Sequence, residues 1–134
     1  MKKVLCALLL AVVFFSCQKN SSDDSSANEI YGRYTGTFNR TGGDTVNVSL
    51  FFKNNNTFEG SGNRLNYPAL CGGNFSRSGT DLAVDDTCAW TANFDWTLIF
   101  DGNYKVNFTG ANSVRIWRTN GAVTDEYLLT RFSR

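Results

Sequence analysis

Beyond residue 29 the apolar and polar positions of the chain alternate with a period of two. Gly32, Tyr34, Gly36 and Phe38 are interleaved with Arg33, Thr35, Thr37 and Asn39; Val46, Val48, Leu50 and Phe52 are interleaved with Asn47, Ser49, Phe51 and Lys53. Successive side chains of a strand point to opposite faces, so each set reads as a strand with one face on a core and one in water. Asn54 to Asn56 supply turn residues before a third strand opening at Phe58. Further strands are expected at about 71–78, 81–85, 95–101, 103–109, 112–119 and 124–132. Gly79, Asp85-Asp86, Asp101-Gly102, Gly110 and Asn120-Gly121 separate them. Asp-Gly and Asn-Gly favour tight hairpins, whose central positions need positive φ. No capped run at 3.6 spacing is long enough for a stable helix, which leaves room only for a short helical turn near Leu65 to Ala69 or Thr91 to Asn93.

Turn signals at this spacing across eight or nine short strands indicate a closed barrel or a sandwich. The connections are nearly all of hairpin length, which favours an up-and-down meander, and closure removes exposed strand edges. The expected fold is therefore all-β: a small up-and-down antiparallel β-barrel of about eight strands over residues 29–134.

The first 28 residues follow a different pattern. Lys2 and Lys3 precede an unbroken apolar run from Val4 to Phe15. A membrane span needs about 20 apolar residues, and this shorter run suits the core of a signal helix instead. Phe14-Phe15-Ser16-Cys17 resembles the lipobox of bacterial lipoproteins, with Phe14 in place of the usual Leu. That resemblance implies removal of residues 1–16, lipidation of Cys17 and anchorage to a membrane, with the outer membrane of a bacterial envelope as the expected location. Residues 17–28 are rich in Ser, Asp and Asn and read as a flexible tether, since such a composition buries too little apolar surface to offset chain entropy.

Charge and chemistry narrow the function. Removing residues 1–16 takes two lysines and no acid, so 13 Lys+Arg become 11 against 12 Asp+Glu. With no long basic block, nucleic acid is not an expected partner. The chain has no histidine, which excludes imidazole metal sites and His-based triads. Glu59, Asp95 and Asp101 are the acids on or beside strands, and solvated strand ends explain all three. Asp85-Asp86 lacks the alternating acidic loop of a calcium site. Neither an enzyme nor a metal or other cofactor is expected. Of the four cysteines, Cys6 leaves with the signal and Cys17 takes lipid, so Cys71 and Cys88 are expected to form a disulfide in an oxidising compartment.

"IYGRYTGTF", "YPALCGGNF", "CAWTANFDWTLIFDG" and "DEYLLTRF" together resemble the lipocalin-like lipoproteins of Gram-negative envelopes, within the broader calycin group. In calycins an early Gly-x-aromatic strand packs beside a basic residue of the last strand. Gly32-x-Tyr34 and Arg131 are the matching positions, with Tyr34 where lipocalins usually carry Trp.

Eleven Phe, five Tyr and three Trp make the chain strongly aromatic. Tyr34, Phe52, Phe75, Trp96, Phe100 and Tyr104 fall on positions expected to face inward and are the candidate pocket lining. An eight-stranded barrel is just wide enough to hold one small ligand or to be filled by side chains, and both readings stand. Trp90, Phe94 and Trp117 fall out of phase or in the long stretch after Cys88, and are the candidate partner surface. Two functions follow. In one, a membrane-tethered barrel binds a small apolar ligand or a partner; in the other, the barrel is a scaffold and the aromatic loop near Cys88 to Asp95 makes the contact, as an inhibitor would.

Overall fold

The computed structural model describes residues 29–132 except Ala92; the signal, the tether and Cys17 lie outside the described residues. Eight strands run β1 (Gly32–Arg40), β2 (Thr45–Phe52), β3 (Thr57–Gly62), β4 (Gly72–Ser78), β5 (Asp81–Asp86), β6 (Gly102–Phe108), β7 (Ser113–Asn120) and β8 (Val123–Arg131). Each pairs antiparallel with its neighbours in sequence, and β1 pairs with β8 to close the barrel. This is the expected meander, with eight strands.

The alternation that predicts the strands also sets their faces. Tyr34 and Phe38 of β1, Val46 to Phe52 of β2 at alternate positions, and Tyr127 and Leu129 of β8 are all buried. Register keeps inward residues on common rungs: Phe38 lies opposite Val46 on one side and Tyr127 on the other. Gly36 shares that inward phase for a steric reason. A Cβ there would come within 1.9 Å of the Leu128 carbonyl oxygen, so only glycine lets β1 and β8 approach this closely. The β7–β8 hairpin turns through Gly121-Ala122, with Gly121 at φ +59°. Glycine thus takes the first loop position, as a tight primed hairpin turn requires, and Asn120 ends the strand.

One expected strand is absent. Residues 95–101 form a 3₁₀ turn, Trp96–Leu98, followed by a single parallel bridge from Ile99 to Ala69. Asp95 caps the turn, its Oδ1 accepting the Thr97 N–H at 2.9 Å and the Thr97 hydroxyl at 2.6 Å. The short side-chain loop draws the chain out of extended geometry, as capping carboxylates do. Asp101-Gly102 is accordingly no hairpin: Gly102 opens β6 at φ +92°.

In a meander the connections 41–44, 63–71, 87–101 and 121–122 emerge at one end of the barrel, here termed the mouth. The chain enters at the other end, where buried Ile30 precedes β1.

Candidate functional site

Inside the barrel, aromatic rings touch in an unbroken series. Tyr34 meets Phe52 at 6.1 Å between centroids, Phe52 meets Phe58 at 6.5 Å and Phe75 at 5.0 Å, and Phe58 meets Phe100 at 5.4 Å. Phe100 then contacts Tyr104 at 4.8 Å and Tyr127 at 5.0 Å, and Tyr127 reaches Phe38 at 4.8 Å. Most of these pairs are edge-to-face or tilted, the arrangement favoured by the ring quadrupole. Five of the six residues expected to line a pocket (Tyr34, Phe52, Phe75, Phe100 and Tyr104) are therefore members of the core and contact one another. Trp96 is not: it lies on the 3₁₀ turn with 57% of its surface exposed. Its inward assignment fails because residues 96–98 turn instead of extending: Trp96 shares the even phase of buried Leu98 and Phe100, but on a 3₁₀ turn a period of two no longer sets the face.

The mouth is covered by the 87–101 connection lying against the 63–71 connection. The Ala69 N–H donates to the Leu98 carbonyl at 3.0 Å, and the Phe100 N–H donates to the Ala69 carbonyl at 3.1 Å. Leu98, Phe100, Ala69 and Pro68 are all buried beneath this cover. The disulfide between Cys71 and Cys88 pins its start, with a Cα–Cα distance of 6.3 Å. The two cysteines extend the β4–β5 ladder: Gly73 pairs with Asp86, and the Thr87 N–H donates to the Gly72 carbonyl. Asp86 Oδ1 accepts the Cys88 N–H at 3.0 Å and the Trp90 indole N–H at 2.8 Å, which orients the next residues.

A charged clasp holds the rest of the cover. Asp125 of β8, with its side chain only 5% exposed, accepts Nε of Arg40 at 2.6 Å, Nη2 of Arg40 at 2.8 Å and Nε of Arg118 at 3.0 Å. The remaining guanidinium N–H groups reach the cover itself. Arg40 donates to Asp95 Oδ2, the Thr97 hydroxyl and the Thr97 carbonyl. Arg118 donates to the carbonyls of Thr97, Ile99 and Asp101. Hydrogen bonding to Thr97 first, and the Arg40 charge after it, hold the Asp95 carboxyl below its ordinary pKa. A concavity of about 590 Å³ lies over this cluster, lined by Arg40, Asp95, Thr97, Arg118, Asn120, Val123 and Asp125. The guanidinium donors beneath it are committed to the protein itself, so the clasp is a fastening and offers little to a ligand.

None of Arg40, Arg118 and Asp125 was among the expected site residues. Their signal was nevertheless in the alternation: each continues the inward phase of its strand past buried Phe38, Ile116 or Tyr127.

What the cover exposes is aromatic. Trp90 and Phe94 meet at 5.6 Å edge-on, and Phe94 stacks with Trp96 at 6.2 Å with planes 26° apart. Trp90 and Phe94 are half-buried, forming the base of a ridge that Trp96 tops. Leu65, 89% exposed, projects from the 63–71 connection at the same end. Trp117 does not join them. It lies on the outer wall of β7 beneath the Arg115 guanidinium, 4.3 Å from its ring centroid.

At the opposite end Arg131 closes the barrel, donating Nη2 to the Tyr34 hydroxyl at 2.8 Å and Nε at 3.2 Å. Nη2 also donates to the Glu29 carbonyl. A Cβ on Gly32 would sit 3.3 Å from Arg131 Nε, so glycine admits the guanidinium. Burial pushes the Tyr34 phenol above its ordinary pKa, and the Arg131 bond opposes that shift.

The molecule is thus an eight-stranded, all-antiparallel, up-and-down closed β-barrel with a buried aromatic core, consistent with a lipocalin-like fold. In comparisons with protein-family models, curated proteins and solved structures, none matches the chain.

Proposed function

We propose that this protein is a lipocalin-like envelope lipoprotein and a non-enzymatic binding module. Cys17 carries its lipid anchor in the outer membrane, and the ridge of Trp90, Phe94 and Trp96 is its working surface. One observation carries the choice of surface. The aromatic residues that would line a ligand pocket contact one another through the length of the barrel, beneath a mouth covered by the 87–101 connection. A filled barrel has no interior site to offer, so recognition falls to the exterior. The ridge suits that role because large exposed aromatic patches are characteristic of interaction sites, and Trp is enriched among residues that dominate binding energy. The point of attachment supports the same reading. The chain enters β1 at the end opposite the mouth, so a tether from Cys17 joins the barrel away from the ridge and leaves the ridge uncovered.

Site-specific photo-crosslinking in the intact envelope tests the proposal, with the reactive residue at position 96 on the ridge or at position 49 on the outer wall. Adducts are expected from 96 and not from 49. Adducts from 49 alone, or a stoichiometric apolar small molecule released from the purified protein in native mass spectrometry, would overturn it.

A further inference from the structure

Charge around the ridge specifies its partner further. Residues 85–101 contain four aspartates and no lysine or arginine. Three arginines lie at the mouth, and each already has an aspartate: Arg40 holds Asp125 and Asp95, Arg118 holds Asp125, and Arg64 holds Asp44 at 2.7 Å. Asp85, Asp86 and Asp101 have no ion pair among the described residues. They are also close together. Asp85 and Asp86 end β5, and the Asp86 N–H donates to Asp101 Oδ1 at 2.9 Å. Asp86 in turn holds the indole of Trp90, which joins this acidic group to the foot of the aromatic ridge.

Resting on the reading of the ridge as the working surface, we infer that it docks an extended, cationic protein segment, whose Arg or Lys side chains lie against Trp96 and Phe94 while their charges meet the exposed carboxylates of Asp85 and Asp101. The chemistry is complementary in both components. The face of an indole attracts guanidinium and ammonium groups, and the stems of those side chains cover apolar ring surface. Surplus carboxylates steer a basic partner toward the mouth and repel an acidic one. A partner bearing anions would find every mouth arginine occupied. Breaking those pairs would leave the buried Asp125 uncompensated, at a cost that disfavours the exchange.

The test titrates the full-length protein, in detergent, with a short Gly-Ser peptide carrying several arginines and with its glutamate counterpart, read by indole fluorescence. The arginine peptide is expected to bind, with affinity falling as salt rises, and the glutamate peptide is not. W96A is expected to weaken binding by about tenfold or more, as a hot-spot truncation does. D85N/D101N is expected to weaken it several-fold and to flatten the salt dependence. Circular dichroism of each variant verifies the barrel. Equal binding of the two peptides, no binding of either, or indifference to both variants would overturn the inference. Its failure is separable from that of the underlying reading. Crosslinking from position 96 to a partner segment lacking Lys and Arg overturns the cationic inference and leaves the ridge as the working surface, whereas adducts only from position 49 overturn both.

Discussion

Arg40 and Asp125 lie 85 positions apart in the chain, yet Nε and Nη2 of the guanidinium bind the two carboxylate oxygens at 2.6 and 2.8 Å. The contact does more than join β1 to β8. Because Arg40 continues to Asp95 and Thr97, and Arg118 binds the same carboxylate before reaching Thr97, Ile99 and Asp101, one buried aspartate organises the Asp95–Asp101 part of the mouth cover.

Asp125→Ala is expected to destabilise the protein by about 3–5 kcal/mol, the cost of leaving buried charge without its partner. Chemical denaturation measures the loss. Hydrogen exchange adds a local signature, with faster exchange expected at Ala69 and Phe100, whose N–H groups hold the cover. Unchanged exchange at those two amides would separate the clasp from the cover.

The Cys71–Cys88 disulfide spans 17 positions, and closing a loop of that length contributes about 3 kcal/mol in the chain-entropy model. C71S/C88S should lose an amount of this order in equilibrium unfolding. Barrel circular dichroism is expected to survive, because the β4–β5 ladder remains paired from Gly73–Asp86 to Ser78–Asp81.

Phe100→Ala removes the ring that links Phe58, Tyr104 and Tyr127, at a fully buried position. A cost of about 3–5 kcal/mol is expected from lost burial and the residual cavity. The variant should also gain affinity for a small aromatic probe such as benzene, since apolar cavities of this kind stay dry and accept such guests. Wild-type protein binding the probe as tightly would count against a filled interior.

Burial raises the pKa values of Tyr34, Tyr104 and Tyr127; Arg131 opposes the shift at Tyr34 and Arg118 opposes it at Tyr104. The sign follows from linkage. In the unfolded chain these phenols ionise near pH 10, whereas the folded protein holds them neutral to higher pH. Their contribution is therefore complete below about pH 10 and is lost as pH rises toward the folded values. Absorbance at ~295 nm, where tyrosinate absorbs, should show their ionisation coinciding with loss of the barrel signal. Ionisation in a still-folded barrel would contradict the burial.

Cys17→Ala tests the anchor independently of the barrel. Release from the membrane fraction and loss of fatty-acid label are expected, because a lipid chain supplies membrane affinity through its buried methylenes. Retention of both would remove the lipoprotein reading.

The period-two alternation by itself determined the strands and their faces. It did so because pleat geometry is local: Val46, Val48, Leu50 and Phe52 must share a side whatever lies across from them. Hairpin-length connections likewise made a meander legible, and the cysteine inventory paired Cys71 with Cys88. Residues 95–101 escaped the same reasoning. Their apolar content suits a strand, but Asp95 caps a turn and the segment finds one parallel bridge to Ala69 in place of a neighbouring strand. Only the tertiary structure could decide that, since the groups holding the segment, Arg40, Arg118 and Asp125, come from three different strands. The same limit governed the core. Side-chain spacing predicted inward aromatics without saying whether they would surround a space or fill it. Closure of the barrel brings Phe52, Phe58, Phe100 and Tyr127 into contact, and that contact fills it.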